Sequence, residues 1–183
     1  MPLTTLDPTP ALVVIDLQRG IGANPLVHPF DDVVGRAVDL AGAFHRRGFP
    51  VVWVNVDGGA PGRTETPRPA DRPADWAQLV DAIQPLPEDI RITKQRWGAW
   101  HDTRLDEELR ARGVTQVMIV GVATSMGVES TARGAHERGY NVVLVSDAMT
   151  DRNIEVHENS IQRVFPKLGE VTTSDKLIAA LAE

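Results

Sequence analysis

The sequence contains no cysteine, which removes disulfides, thiolate metal sites and any thiol nucleophile together. It has no basic block either: 19 Lys and Arg stand against 25 Asp and Glu, for a formal net charge of -6. A groove built on phosphate neutralisation is therefore not expected, and nucleic acid is set aside as a partner. Long apolar runs are missing, and none approaches the roughly 20 residues that span a bilayer. The opening Met1-Pro2-Leu3-Thr4-Thr5-Leu6-Asp7-Pro8 lacks both a basic n-region and a long apolar h-region. A cytoplasmic protein without membrane contact is the expectation. A glycine-rich turn is absent as well, because the first apolar run leads into Asp16-Leu17-Gln18-Arg19-Gly20. That speaks against a dinucleotide-binding oxidoreductase, and for want of a phosphate-cradling loop it disfavours flavin binding too. The histidines, His28, His45, His101, His136 and His157, are scattered without ligand spacing, so neither a catalytic metal nor another cofactor is expected.

What is present fits one compact globular unit spanning 1–183. Hydrophobic residues make up 42% and charged residues 24% of the 183, enough to bury a sizeable core without the signature of disorder. Six short, branched apolar runs read as buried strands: Ala11 to Asp16, Pro50 to Val56, Ile90 to Thr93, Gln116 to Gly121, Asn141 to Ser146 and Glu170 to Thr173. Helical periodicity lies between them. Val33, Val34, Ala37, Leu40, Ala41 and Phe44 form one stripe ahead of Gly48. Helices are also predicted over Asp102 to Arg112, Ser125 to Arg138 (inward face Val128, Thr131, Ala132, Ala135), Asn153 to Val164 (Ile154, Ile161, Val164 and Phe165 inward), and from Thr173 or Ser174 onward. The alternation gives an α/β fold: three layers, α/β/α, around a mostly parallel six-stranded sheet, with the Rossmann-like order 3-2-1-4-5-6 as the common solution. Asp57 to Pro73 has no period and reads as a long loop.

In such a sheet ligands bind beyond the carboxyl ends of the strands where the order reverses, here between the first and fourth. Asp16 ends the first run there, with Gln18 two residues on, and a buried carboxyl can serve as acid or base. Lys94 follows the third run and opens Lys94-Gln95-Arg96-Trp97-Gly98-Ala99-Trp100. It can hold a carboxylate ionised or stabilise developing negative charge. After the fourth run, Gly121-Val122-Ala123-Thr124-Ser125-Met126-Gly127 makes a tight polar turn into a helix of small residues, so that backbone N–H groups face the sheet edge and can bind an anion or oxyanion. Read blandly, these residues tie down a loop, ride in solvent and cap a helix.

Together, Asp16-Leu17-Gln18, the Lys94 cluster, Gly121-Val122-Ala123-Thr124 leading to Val128-Glu129-Ser130-Thr131-Ala132, and Val145-Ser146-Asp147-Ala148-Met149-Thr150-Asp151 resemble the isochorismatase-like, or cysteine hydrolase, family over nearly the whole chain. The resemblance implies an Asp-Lys-Cys triad. Asp16 and Lys94 match two members, and Gly127 stands where most relatives carry the cysteine, so no thioester can form. Isochorismatase itself carries glycine there and hydrolyses a vinyl ether without covalent catalysis, its aspartate acting as general acid. Val122-Ala123-Thr124-Ser125-Met126, by contrast, is similar to the cysteine-dependent branch.

The resemblance thus implies a hydrolase of a small molecule with catalytic Asp16, Lys94 and Gly127, and with Gln18, Trp97, Trp100, Ala123, Thr124 and Met126 as candidate substrate contacts. A catalytically silent member that binds a metabolite, or a Cys→Gly form of a cysteine-dependent amidohydrolase, remains open. The Asp-x-His-x-His zinc run of the nicotinamidase branch has no counterpart in Val54-Asn55-Val56-Asp57-Gly58-Gly59, so nicotinamide is a poor substrate candidate. Arg63, Arg68, Arg72 and Arg96 can pair substrate carboxylates. The resemblance also implies a homo-oligomer, dimer or tetramer.

Overall fold

A computed structural model describes residues 3–66 and 72–182. Six strands, β1 (Pro10–Ile15), β2 (Val51–Val56), β3 (Ile90–Lys94), β4 (Gln116–Val122), β5 (Asn141–Thr150) and β6 (Glu170–Thr172), form one sheet in the order β3-β2-β1-β4-β5-β6. Every pairing is parallel. The central strands β1 and β4 are buried along their whole length, which is why they read as continuous apolar runs and not as alternating ones. Edge strand β3 alternates instead, with Ile90, Ile92 and Lys94 buried and Arg91 and Thr93 exposed. That alternation places Lys94 on the same face as its two isoleucines.

The sheet separates two cores. On one face Ile15, Ile90, Ile92 and Leu144 pack against α3 (Leu105–Ala111) and α4 (Glu129–Glu137) through Leu105, Leu109, Ala132 and Ala135. On the other, Leu12, Val14 and Val120 meet α2 (Phe30–Arg46) and α7 (Ser174–Ala182). Each fully buried Val, Leu or Ile side chain in these layers contributes about 1.5–3 kcal/mol relative to exposure. The predicted stripe on α2 and the stripe Val128, Thr131, Ala132, Ala135 are all buried. The glycines offered as helix stops, Gly48, Gly113 and Gly139, take positive φ just past α2, α3 and α4.

Three features differ from expectation. β5 continues to Thr150, with a register irregularity between Ile119 and Gly121 of its neighbour. A short helix, α1 (Arg19–Gly22), follows β1 directly. The predicted helix from Asn153 is α5 (Ile154–Asn159), capped by the Asn153 side chain, then a π-helical stretch Ser160–Val164, then α6 (Phe165–Leu168). The wider turn shifts the helical phase, so His157, Ser160 and Phe165 are buried while Ile154, expected inward, is 45% exposed. No helix among the described residues is long and apolar enough to cross a membrane.

Candidate active site

β1 delivers Ala11 to Ile15 in an extended, fully buried strand, and the chain then turns at Asp16, whose φ is 54°. Among non-glycine residues, asparagine and aspartate are the ones that tolerate this left-handed region best, and such residues cluster at functional sites. Two strands away, the alternation of β3 turns Lys94 inward. The two side chains meet: Lys94 Nζ donates to Asp16 Oδ2 at 2.7 Å, and the two are 1% and 6% exposed. A second N–H of Lys94 reaches the Arg96 carbonyl at 3.1 Å.

Gly127 completes the group. It lies in a π-helical turn, Thr124–Val128, at the start of α4, where Val128 N–H donates to Ala123 O at 3.2 Å. A Cβ built on Gly127 would lie 3.0 Å from Ile15 Cγ2 and 3.2 Å from Asp16 Oδ2. A side chain at position 127 would therefore press directly on the carboxyl group. The turn sits this close to β1 because Gly121, at φ 118°, has no side chain: a Cβ there would come within 2.0 Å of Ile15 O. Between the two glycines, the Val122–Ala123 peptide is cis.

Burial dominates the electrostatics. It pushes the Asp16 carboxyl up to about 6, against the opposing attraction and hydrogen bond of Lys94. Oδ2 is held by Lys94, whereas Oδ1 is buried with no hydrogen-bond partner among the described residues. A bare, buried carboxylate oxygen is costly, and a proton on Oδ1, or a reacting group beside it, relieves that cost. The pair can therefore hold a transferable proton close to neutral pH.

The other expected site residues fall into distinct roles. Gln18 is fully buried, donates from Nε2 to Val56 O and Trp76 O, and accepts from Val56 N–H. Its amide is spent on pinning chain segments, not aimed at a ligand. Trp100 is similarly committed: its indole N–H donates to Thr131 O at 2.7 Å and its ring stacks on Tyr140. Trp97, 62% exposed, and Met126, 41% exposed, are the accessible apolar side chains among the six candidate contacts. Ala123 is half-buried and turns its carbonyl to Met126 and Val128 N–H. Thr124 is buried, its hydroxyl bridging Thr150 O at 3.1 Å and His157 Nδ1 at 2.8 Å.

The row of anion-binding N–H groups expected at this turn is largely occupied. Ser125 N–H and Oγ both donate to Asp151 Oδ2, at 2.7 and 2.8 Å, and Met126 N–H donates to Ala123 O. Asp151, at the end of β5, is the protein's own anion at the helix start. Its signal in the sequence was the Val145–Asp151 run, carried there as resemblance and not as a cap. Thr150, which helps to seat Thr124, lies in the same run, whereas His157 stood in the sequence only as one of the scattered histidines. Among the described residues no three His, Asp or Glu side chains converge as a metal ligand set.

The chain that carries this buried Asp-Lys pair is matched by a family model. The isochorismatase domain covers residues 10–176. The chain belongs to the isochorismatase family. It is 39% identical to the uncharacterised isochorismatase family protein YecD of Escherichia coli O157:H7, over 94% of this chain and 96% of that protein. An isochorismatase family protein from Burkholderia thailandensis superposes with a TM-score of 0.94 at 40% identity, covering 100% of this chain and 99% of that one. An N-carbamoylsarcosine amidase from Thermoplasma acidophilum superposes with a TM-score of 0.77 at 30% identity, over 91% and 97%. The isochorismatase-like fold is thus the one set by the sheet order, and members of this family are hydrolases.

Proposed function

We propose that this isochorismatase-family hydrolase cleaves a small-molecule vinyl ether without a covalent intermediate, with Asp16 as general acid. The observation that carries the reading is Asp16 itself: a buried carboxyl raised to about 6, with an Oδ1 that has no partner among the described residues, facing a position that has no nucleophile. Asp16 gives the Oδ1 proton to the terminal vinyl carbon, and the carbon–oxygen unit becomes an oxocarbenium ion. Water adds to its carbon while the Asp16 carboxylate takes the water's proton, which restores the acid. The resulting hemiketal collapses to a carbonyl compound and an alcohol. Lys94 holds Asp16 in place and balances its charge in the interval when it is ionised. Gly127 puts no side-chain atom against Oδ2, where a Cβ would stand at 3.2 Å. General-acid catalysis of this kind supplies about 10²- to 10⁴-fold, and orientation in a dry site supplies more.

Turnover of a panel of alkyl vinyl ethers by the wild-type protein, Asp16→Asn and Lys94→Ala tests this. Both variants are expected to lose activity with the fold retained by circular dichroism. Turnover unaffected by both changes would exclude the mechanism.

A second reading is favoured by the resemblance of Val122–Met126 to the cysteine-dependent branch and by the likeness to an N-carbamoylsarcosine amidase. Under it, position 127 once supplied a thiol for amide hydrolysis. Thiol-dependent amidase activity appearing in Gly127→Cys supports that reading over the first.

A further inference from the structure

Two segments from distant parts of the chain wall in the Asp16 carboxyl. One is the stretch 94–100, where Lys94 Nζ donates to Asp16 Oδ2 at 2.7 Å and to Arg96 O at 3.1 Å. The other is the turn Thr124–Val128, in which a Cβ on Gly127 would stand 3.2 Å from the same Oδ2. Burial is the largest influence on this carboxyl, and Lys94 is the charged side chain that opposes it. How tightly the two walls close therefore decides how readily Asp16 keeps its proton.

A single hydroxyl joins the walls. Thr131 lies on the buried stripe with Val128, Ala132 and Ala135, and like them it is 0% exposed. Valine would fill the same space, and the hydroxyl is what sets threonine apart. Here Oγ1 makes two hydrogen bonds in series: Ala99 N–H donates to it at 3.2 Å, and it donates to Gly127 O at 2.7 Å. A threonine hydroxyl has one proton, so the direction of the series is fixed. A bond to the carbonyl four residues back is common for threonine in helices. The bond from Ala99 is of another kind, since it crosses 32 residues and ties the Lys94 stretch to the helix that begins at the Gly127 turn. The Thr131 carbonyl repeats the tie by accepting from the Trp100 indole N–H at 2.7 Å. Gly98 lies close in the same seam, where a Cβ would stand 3.3 Å from Ser130 O.

We infer that Thr131 is a positioning residue for Asp16: its hydroxyl locks the Lys94 stretch to the Gly127 turn and so keeps the carboxyl enclosed between them. The inference rests on Asp16 being the acid proposed above. Thr131 is fully buried and acts only through these two neighbours. Without the hydroxyl, the Ala99 N–H is left in a dry seam with no acceptor, a state that favours opening the seam to water. Water that enters there reaches the walls of Asp16, and the desolvation that keeps its proton in place is relieved.

The test reads the Asp16 carboxyl itself, by 13C NMR titration of protein labelled at its aspartate carboxyls, with the resonance assigned through Asp16→Asn. The wild-type midpoint is expected at about 6. Thr131→Val, which keeps the shape and removes the hydroxyl, and Thr131→Ala are each expected to lower the midpoint by at least about one pH unit. At pH 7 that cuts the protonated fraction, and with it kcat/KM for a vinyl ether, about tenfold. Thr131→Ser, which keeps the hydroxyl and loses a buried methyl, is expected to melt below the wild type yet titrate like it. In the wild-type protein the Ala99 amide is expected to exchange slowly with solvent. A midpoint unmoved or raised in both deletion variants, a shift in Thr131→Ser as large as in Thr131→Val, or fast exchange at Ala99 in the wild type would overturn the inference. The two readings fail separately: absence of vinyl ether turnover leaves the titration and its dependence on Thr131 standing, and an unmoved midpoint leaves turnover that depends on Asp16 standing.

Discussion

Raising the pH through 6 strips the one proton on which the proposed chemistry depends. Burial places the Asp16 carboxyl at about 6, and the acid must be protonated to act. The competent fraction is about one half at pH 6, about one tenth at pH 7 and about one hundredth at pH 8. kcat/KM for a vinyl ether, which reports the free enzyme, should be level well below pH 6 and fall about tenfold per pH unit above it. The assay is loss of the vinyl ether chromophore, with the acid-catalysed background subtracted at each pH. Asp16→Asn should remove the pH limb along with the activity. A profile that rises with pH through 6 would mean that Asp16 works as a base, and a flat one that it does not titrate in turnover; either result refutes the reasoning.

The same group predicts a stability effect of defined sign. A carboxyl raised in the folded state binds its proton more tightly there than in the unfolded chain, so the stability it lends is complete below about pH 4 and lost as pH rises through about 6. A shift of about two units corresponds to about 3 kcal/mol, read as a fall in the wild-type melting temperature relative to Asp16→Asn across that window.

Other substitutions have expected outcomes of their own. Gly121→Ala forces a Cβ to within 2.0 Å of Ile15 O at φ 118° and should cost about 3 kcal/mol or more in denaturant unfolding. Gly127→Ala meets Asp16 Oδ2 at 3.2 Å and should lower kcat/KM far more than it lowers the melting temperature; an equal loss of both would point to a packing role instead. Asp151→Ala leaves the Ser125 and Arg152 N–H groups, now at 2.7 Å from its carboxylate, without their acceptor. It should destabilise by about 1–3 kcal/mol, measured by thermal melting.

The strands were legible because burial on both faces writes an unbroken apolar run, as in Leu12 to Ile15 and Val117 to Val120. The encounter of Asp16 with Lys94 was legible only through topology and resemblance, since 78 residues separate them. Less legible were polar groups spent inward. Gln18 and Trp100 look like ligand contacts in the sequence, yet their donors satisfy backbone carbonyls of Val56, Trp76 and Thr131. Ile154 was misplaced because a π-helical turn breaks the 3.6-residue phase without a composition cue. Arg72, whose guanidinium lies over the Trp76 ring and donates to Gly58 O, joins irregular segments that have no period to read. Arg63, by contrast, is exposed, and Arg68 lies outside the described residues.

Proton transfer to carbon leaves a permanent mark. Hydrolysis of an alkyl vinyl ether in D2O, quenched early and followed by mass spectrometry, should place one deuterium on the former vinyl carbon in wild-type protein and yield no product with Asp16→Asn. Product without carbon-bound deuterium, or labelled product formed equally fast by Asp16→Asn, would contradict a proton delivered from this carboxyl.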